Sequence, residues 1–363
     1  MFLTLVKDVE HEYFFILTQH IYYVKNPVVV VRKEEAEKIK NLLLEKGLLD
    51  DERRIKRHED NVEIPVKIEG IKRLKKFKIK EQKSPIYRRY YPPFDVIKNE
   101  AKKILKKDEI RLLPKKWEKI GDILILKFPE ELEARKEILE IYAKVLNCRA
   151  ILGDKGIIGE KREPLLVHLY GDKNTETVHV ENKIKFKLDA SKIMFSSGNV
   201  DERIRMAYIA NKGERVVDMF AGIGYFSIPM AVYSKVNVYA IEINPTAYFY
   251  LKENIMLNGV EERVKAILGD CREMTPKNFA NRVIMGYLHS KNFLPIAINA
   301  LRKEGGIIHY HFLCTDKNFP SLPIAEVKKI AKENGKDAFV ISSKQIKSYA
   351  PRILHGVLDV KIK

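Results

Sequence analysis

The chain has 363 residues, 45% of them hydrophobic, and 67 Lys or Arg against 49 Asp or Glu give a formal net charge of +18. This length suggests two or three domains, and the apolar content excludes a largely disordered chain. Cys148, Cys271 and Cys314 are far apart and form no CxxC pair, which excludes a disulfide framework and a cysteine zinc site, so no metal is expected.

In chain order, residues 1–62 read as a small α+β unit. Apolar runs at Tyr13–Leu17 and Val28–Val31 predict strands, and Ala36, Ile39, Leu42 and Leu43 recur at helical spacing within Lys33–Glu45, with Gly47 placed to stop that helix. A second α+β unit spans 67–168. It begins with the KIKEQK strand and carries a helix near Asp95–Lys107, a strand at Ile120–Lys127, a helix at Pro129–Leu146, and short strands at Arg149–Leu152 and Leu165–Tyr170. Residues 71–120 hold 18 Lys or Arg and 6 Asp or Glu, so most of the net charge lies here. Within that segment, Tyr87-Arg88-Arg89-Tyr90-Tyr91 alternates cations with flat rings; arginines pair with phosphates and tyrosines stack on unpaired bases, so Arg88, Arg89 and Tyr90 are candidate nucleic-acid contacts. A solvated lysine face around Lys102–Lys107 is the simpler alternative for part of the run. The longest uncharged stretch, Met219 to Ser234, is shorter than a membrane span and holds Gly222, Gly224 and Pro229. The N-terminus shows no signal-peptide pattern, so a cytoplasmic protein without a membrane partner is expected.

From about 170 to 363 the pattern becomes strand–helix alternation: strands at Arg215–Phe220, Val236–Ile243, Val264–Leu268, Arg282–Leu288 and Gly306–Cys314, helices at Gly224–Ser234 and Pro245–Asn258, and two late strands at Ala338–Lys344 and Leu354–Lys361. Repeated βα units of this length predict an α/β domain with a parallel sheet covered by helices on both faces. The first strand ends in Asp218-Met219-Phe220-Ala221-Gly222-Ile223-Gly224, where glycines allow close backbone approach at a helix start. The second ends in Glu242, which can accept from both hydroxyls of a ribose, and the third in Gly269-Asp270-Cys271, which places an acid and a backbone amide where an adenine would lie. A glycine turn and two acids at three successive strand ends point to an adenosine-containing cofactor. Ser227 replaces the third glycine of a dinucleotide fingerprint, and Asp218 before the turn repels a pyrophosphate and suits a cationic amino-acid moiety.

This Asp218…Gly222-x-Gly224…Glu242…Asp270 arrangement resembles the class I (Rossmann-like) S-adenosylmethionine-dependent methyltransferases. Phe195-Ser196-Ser197-Gly198-Asn199-Val200-Asp201-Glu202-Arg203-Ile204-Arg205, followed by DMFAGIGYFSIP, further resembles archaeal and eukaryotic enzymes acting at guanosine 37 of tRNA. These are the guanine-37 N1-methyltransferases and their sisters, the wybutosine-synthesising protein 2 aminocarboxypropyltransferases. The resemblance covers nearly the whole chain and implies two smaller N-terminal α+β domains before the catalytic one, the first contacting the outer corner of the tRNA. The methyltransferases carry Asn-Leu-Pro or Asn-Pro-Pro after the fourth strand; here Gly286-Tyr287-Leu288-His289 stands instead, which looks like the aminocarboxypropyl branch.

The resemblance therefore implies transfer of the 3-amino-3-carboxypropyl arm of S-adenosylmethionine to carbon 7 of 4-demethylwyosine at position 37, in the anticodon loop, by a monomer. Ser196 and Arg203 are the candidates to grip the amino-acid end, because a guanidinium clamps a carboxylate bidentately. For Arg203 the alternative is a salt bridge with Asp201 or Glu202. His289 is the candidate to position the base or take up its proton, and Tyr287 to contact it. Phe220 and Cys271 complete the cofactor set, the latter through its backbone. His309 and His311, alternating with Tyr310, suggest one face of a packed sheet rather than a metal site. The alternatives are N1-methylation of guanosine 37, methylation of the tricyclic base, and a non-catalytic RNA-binding module.

Overall fold

The computed structural model describes residues 14–17, 20–23, 26–74, 76–87, 92–133, 135–158 and 163–363, and the chain forms two compact units, Met1–Asp95 and Val96–Lys363. In the first, strands Lys56–Arg57, Asn61–Pro65, Pro27–Arg32 and Ile79–Glu81 form one antiparallel sheet in that order. Helix Ala36–Glu45 buries Leu43 against Val29, Ile64 and Val66. Gly47 takes φ +65° just beyond it, and its N–H donates to the Leu44 carbonyl, as a helix-stopping glycine does. Arg88, Arg89 and Tyr90 lie outside the described residues.

The second unit begins with a four-stranded sheet, Glu163–Gly171, Ala150–Ile158, Ile123–Leu126 and Glu118–Ile120 in that order, backed by helix Lys136–Leu146 with Ile138, Leu139 and Tyr142 buried. The helix expected over Asp95–Lys107 is two pieces, Pro93–Ala101 and Lys107–Ile110, and Lys102, Lys103, Lys106 and Lys107 are exposed between and around them. A hairpin that sequence periodicity alone left unread follows: β1 (Glu176–Glu181) and β2 (Ile184–Asp189).

The remaining residues build a seven-stranded sheet from β3 (Arg215–Asp218), β4 (Asn237–Glu242), β5 (Val264–Leu268), β6 (Arg282–Met285), β7 (Gly306–Thr315), β8 (Ala338–Ala350) and β9 (Ile353–Ile362), in the order β5-β4-β3-β6-β7-β9-β8. The first five are parallel, and β9, joined to β8 by a hairpin, runs antiparallel to both β7 and β8. Successive strand residues face opposite sides, so Val216 packs with Ile228 and Leu251 on one face and Val217 with Leu294, Ile298 and Val327 on the other. Helices α1 (Val200–Ala207), α2 (Ser227–Tyr233), α3 (Pro245–Leu257), α4 (Leu294–Ala300) and α5 (Ser321–Glu333) accompany the sheet. Helix α2 starts at Ser227, not at Gly224 as expected, because Gly222 and Gly224 hold φ of +57° and +98° and keep the preceding segment a turn.

A buried polar chain links α1 to the far half of the sheet. Arg205 pairs with Glu202 at 2.6 Å and with Asp359 at 2.6 Å; Asp359 meets His309 Nδ1 at 2.5 Å, and Arg282 Nη1 lies 2.7 Å from His309 Nε2. An arginine can only donate, so Nε2 accepts and Nδ1 carries the proton to Asp359: His309 is neutral. Burial lowers its pKa accordingly, against the pull of Asp359. His311 Nδ1 is 3.0 Å from His355 Nε2, so both β7 histidines sit on one packed face.

Candidate active site

The parallel strands β5, β4, β3 and β6 all end at one edge, and a cleft of about 470 Å³ opens there. Phe220, Gly222, Glu242, Asp270, Cys271 and Tyr287 line it together. At Gly222 a Cβ would stand 2.7 Å from the Tyr225 ring, and at Gly224 it would stand 2.4 Å from Ile228 Cδ1. Positive φ and lack of room thus both require glycine. The turn is tied to the second strand: Glu242 accepts from the Gly222 N–H and from the Asn244 N–H, each at 2.7 Å, one on each oxygen. Burial raises the Glu242 pKa, and these N–H donors oppose that rise. A carboxylate has about four acceptor positions, so its remaining lone pairs are free to meet two vicinal hydroxyls.

Asp270 accepts from the Arg272 N–H at 2.8 Å and pairs with the Arg272 side chain, which holds its carboxyl below the usual range. Asp218 lies beneath the turn rather than in the cleft: it is fully buried, the Ser227 hydroxyl donates to it at 2.7 Å, and burial pushes its pKa up to about 6. It shapes the turn from behind and does not line the cleft, where a direct ligand contact was expected of it. Cys271 is buried and its thiol is pushed up to about 12, so it stays protonated and is not poised as a nucleophile.

Ser196, Arg203 and His289 are not among the residues lining the cleft. The guanidinium expected to clamp a ligand carboxylate is already engaged: Arg203 donates to both oxygens of Glu181 at 2.7 and 2.6 Å and to the Ser196 carbonyl at 2.9 Å. Neither Asp201 nor Glu202 holds it; Glu202 pairs with Arg205. Arg203 is 3% exposed and lies 4.9 Å from the Phe195 ring centroid, so it anchors the segment 192–197 that walls the cleft through Ile193 and Met194. The Tyr225 hydroxyl holds the same segment through the Met194 carbonyl at 2.6 Å. The Ser196 hydroxyl receives Lys347 Nζ at 2.6 Å. His289 is exposed beyond β6, its ring 5.6 Å from that of Tyr287.

Beyond Phe220 and Tyr287, sequence reasoning overlooked the apolar lining. Ile243, 56% exposed and directly after Glu242, offers a surface for a flat ring, and Phe293 packs edge-on to Phe220, which tilts against Tyr287 at 5.4 Å. An isoleucine directly following a strand-terminal acid was the available signal. At Gly286 a Cβ would stand 3.2 Å from the Phe226 ring, so that ring fills the space beside the position where the methyltransferases carry asparagine.

The arrangement has close counterparts. Residues 177–339 match the TRM5/TYW2 methyltransferase domain, 97–175 the TYW2 N-terminal domain, and 29–70 the tRNA methyltransferase 5 N-terminal domain. The chain is 47% identical over 262 residues to the tRNA(Phe) (4-demethylwyosine(37)-C(7)) aminocarboxypropyltransferase of Pyrococcus horikoshii, covering 72% of this chain and 94% of the relative. The chain belongs to the TRM5/TYW2 family, on its TYW2 side. The tRNA (guanine(37)-N(1))-methyltransferase Trm5b of Pyrococcus abyssi is 36% identical over 344 residues, 92% of this chain and 98% of the relative. Among solved structures, P. horikoshii TYW2 in complex with MeSAdo matches with a TM-score of 0.67 and 43% identity, covering 74% of this chain and 98% of that one. Similarity to the TYW2 enzyme is thus higher in identity but shorter in extent than to Trm5b, and the first unit carries the Trm5-type domain.

Proposed function

We propose that this protein transfers the 3-amino-3-carboxypropyl group of S-adenosylmethionine to carbon 7 of 4-demethylwyosine at position 37 of tRNA(Phe). The observation that carries the reading is the 47% identity to an enzyme of that activity, joined to Gly286-Tyr287-Leu288-His289 at the mouth of the cleft. S-adenosylmethionine supplies an electrophilic carbon next to a sulfonium, and the protein's residues decide which carbon meets the base. Glu242 takes the ribose hydroxyls, Ile243 lies under the adenine, and Asp270 with the Cys271 backbone reads its edge. The segment 192–197, held by Arg203 and Tyr225, receives the amino-acid end, so Arg203 acts as a positioning residue, while the Ser196 hydroxyl is taken by Lys347. Tyr287 and Phe220 stack on the tricyclic base. Carbon 7 forms the new bond to the arm, the carbon–sulfur bond breaks with its electron pair going to sulfur, and His289 or solvent accepts the proton leaving carbon 7.

The test is the fate of label on precursor tRNA. Cofactor labelled in its carboxyl carbon should transfer label, methyl-labelled cofactor should not, and methylthioadenosine should form because sulfur keeps its methyl. That product agrees with the MeSAdo bound in the P. horikoshii relative. Methyl label in tRNA with an equal amount of S-adenosylhomocysteine would overturn the assignment in favour of methyl transfer.

The same reading makes the basic stretch around Arg88, Arg89 and Tyr90 a tRNA contact, acting with the domains 1–62 and 67–168 ahead of the catalytic 170–363. A monomer in the cytoplasm suffices, and among the described residues no helix is long and apolar enough to cross a membrane. Replacing Arg88 and Arg89 with Ala should weaken tRNA binding and lower the slope of log affinity against log salt by about 1 to 2, with cofactor affinity unchanged. Filter-binding titrations at several salt concentrations measure this, and an unaltered slope would return the segment to a solvated face.

A further inference from the structure

The free edge of the β1–β2 hairpin is closed by helix α3 in an unusual way. Lys185 and Lys187, two apart on β2, pair with Val180 and Val178 of β1 as neighbours and have their own backbone groups turned outward. Asn258 and Asn254, four apart along the same helical turn-and-a-bit, meet them. Asn258 Oδ1 accepts from the Lys185 N–H at 2.9 Å and its Nδ2 donates to the Lys185 carbonyl at 2.8 Å. Asn254 Oδ1 accepts from the Lys187 N–H at 2.6 Å and its Nδ2 donates to the Lys187 carbonyl at 3.1 Å. The spacings agree because four helical residues rise about 6.0 Å and two strand residues about 6.6 Å. Two asparagine amides thus stand in for a neighbouring strand and cover an edge that would otherwise be unpaired.

The two rungs differ in one respect. Asn254 is fully buried, and its second Nδ2 proton goes to the carbonyl of Ile223 at 3.1 Å, between Gly222 and Gly224. The second proton of Asn258 goes to the Asn254 carbonyl of its own helix at 2.7 Å. One rung is therefore wired to the glycine turn and the other is not. The hairpin also carries Glu181, which holds Arg203 and through it the Ser196 carbonyl. A single hairpin thus braces both walls of the cleft.

We infer that Asn254 is a positioning residue that sets the glycine turn for the cofactor, with Asn258 a purely structural rung. The inference rests on reading the cleft as the S-adenosylmethionine site. Other links keep the hairpin on α3 when one rung is lost: Lys187 Nζ reaches Glu253 at 3.3 Å, and the Tyr250 hydroxyl donates to Glu176 of β1 at 3.1 Å. Without Asn254, the Ile223 carbonyl loses its donor in a buried place and the turn loosens.

The experiment compares Asn254→Ala with Asn258→Ala by thermal unfolding, by calorimetric titration with S-adenosylmethionine, and by amide hydrogen exchange of segment 222–228 in the ligand-free protein. Both variants should lose some thermal stability. Only Asn254→Ala should bind S-adenosylmethionine about tenfold more weakly and exchange faster at the turn. Asn254→Asp, which keeps the acceptor for the Lys187 N–H but turns an oxygen toward both the Lys187 and the Ile223 carbonyls, should behave like the alanine variant. Hydrogen exchange needs no ligand, so it judges the brace even where the wild-type titration contradicts the cofactor reading. Unchanged exchange at 222–228 in both Asn254 variants, or equal loss of affinity in Asn258→Ala, would overturn the inference.

Discussion

Glu242→Ala should weaken S-adenosylmethionine binding roughly tenfold to a hundredfold, since each hydrogen bond to a charged group contributes about 1.5–3 kcal/mol. Two effects add. The ribose hydroxyls lose their acceptor, and the Gly222 and Asn244 N–H groups, each 2.7 Å from the carboxylate, lose the anchor that shapes the turn. Calorimetry on the folded variant checks this, and Glu242→Gln, which keeps one acceptor oxygen, should fall between wild type and alanine. Wild-type affinity in Glu242→Ala would place the cofactor elsewhere.

Asp359→Ala should lower stability by about 3–5 kcal/mol, because it leaves Arg205 and the His309 N–H facing a buried gap. Denaturant unfolding measures the loss. Ser342→Ala, which removes a 2.7 Å donor to the same carboxylate but leaves the charges paired, should cost only about 1 kcal/mol. The same network sets the response to acid. Burial lowers the folded-state pKa of His309 below the ordinary 6.5, so the unfolded chain takes up a proton that the folded one declines, and stability falls as pH drops through that value. Below the ordinary aspartate value of 3.8 the unfolded chain also protonates Asp359, which the fold holds ionised through His309 and Arg205, and stability falls further. An Asp359→Ala protein as stable as wild type would show that the pairs in this chain contribute nothing net.

Some of this was legible in the amino acids alone, and for a local reason. Hydrophobic period, glycine placement and strand-terminal acids act within a few residues, so the strands from Arg215 onward could be read along the chain, and Gly222, Glu242 and Asp270 do line one cleft, with Gly224 in the turn behind it. Repetition of βα units then determined that those strand ends share one edge. The partner of a polar side chain is a different matter. Arg203 stood beside Asp201 and Glu202 in sequence, yet its carboxylate is Glu181, 22 residues back on a hairpin. Arg205 meets Asp359 across 154 residues, and Asn254 reaches Ile223 across 31. A long flexible guanidinium or an amide at the wrong end of a helix carries no periodic signal of where it will bond. Only the packing of hairpin, helix and sheet brings those groups within hydrogen-bond distance, and that packing decided which residues touch the cleft and which hold it open from behind.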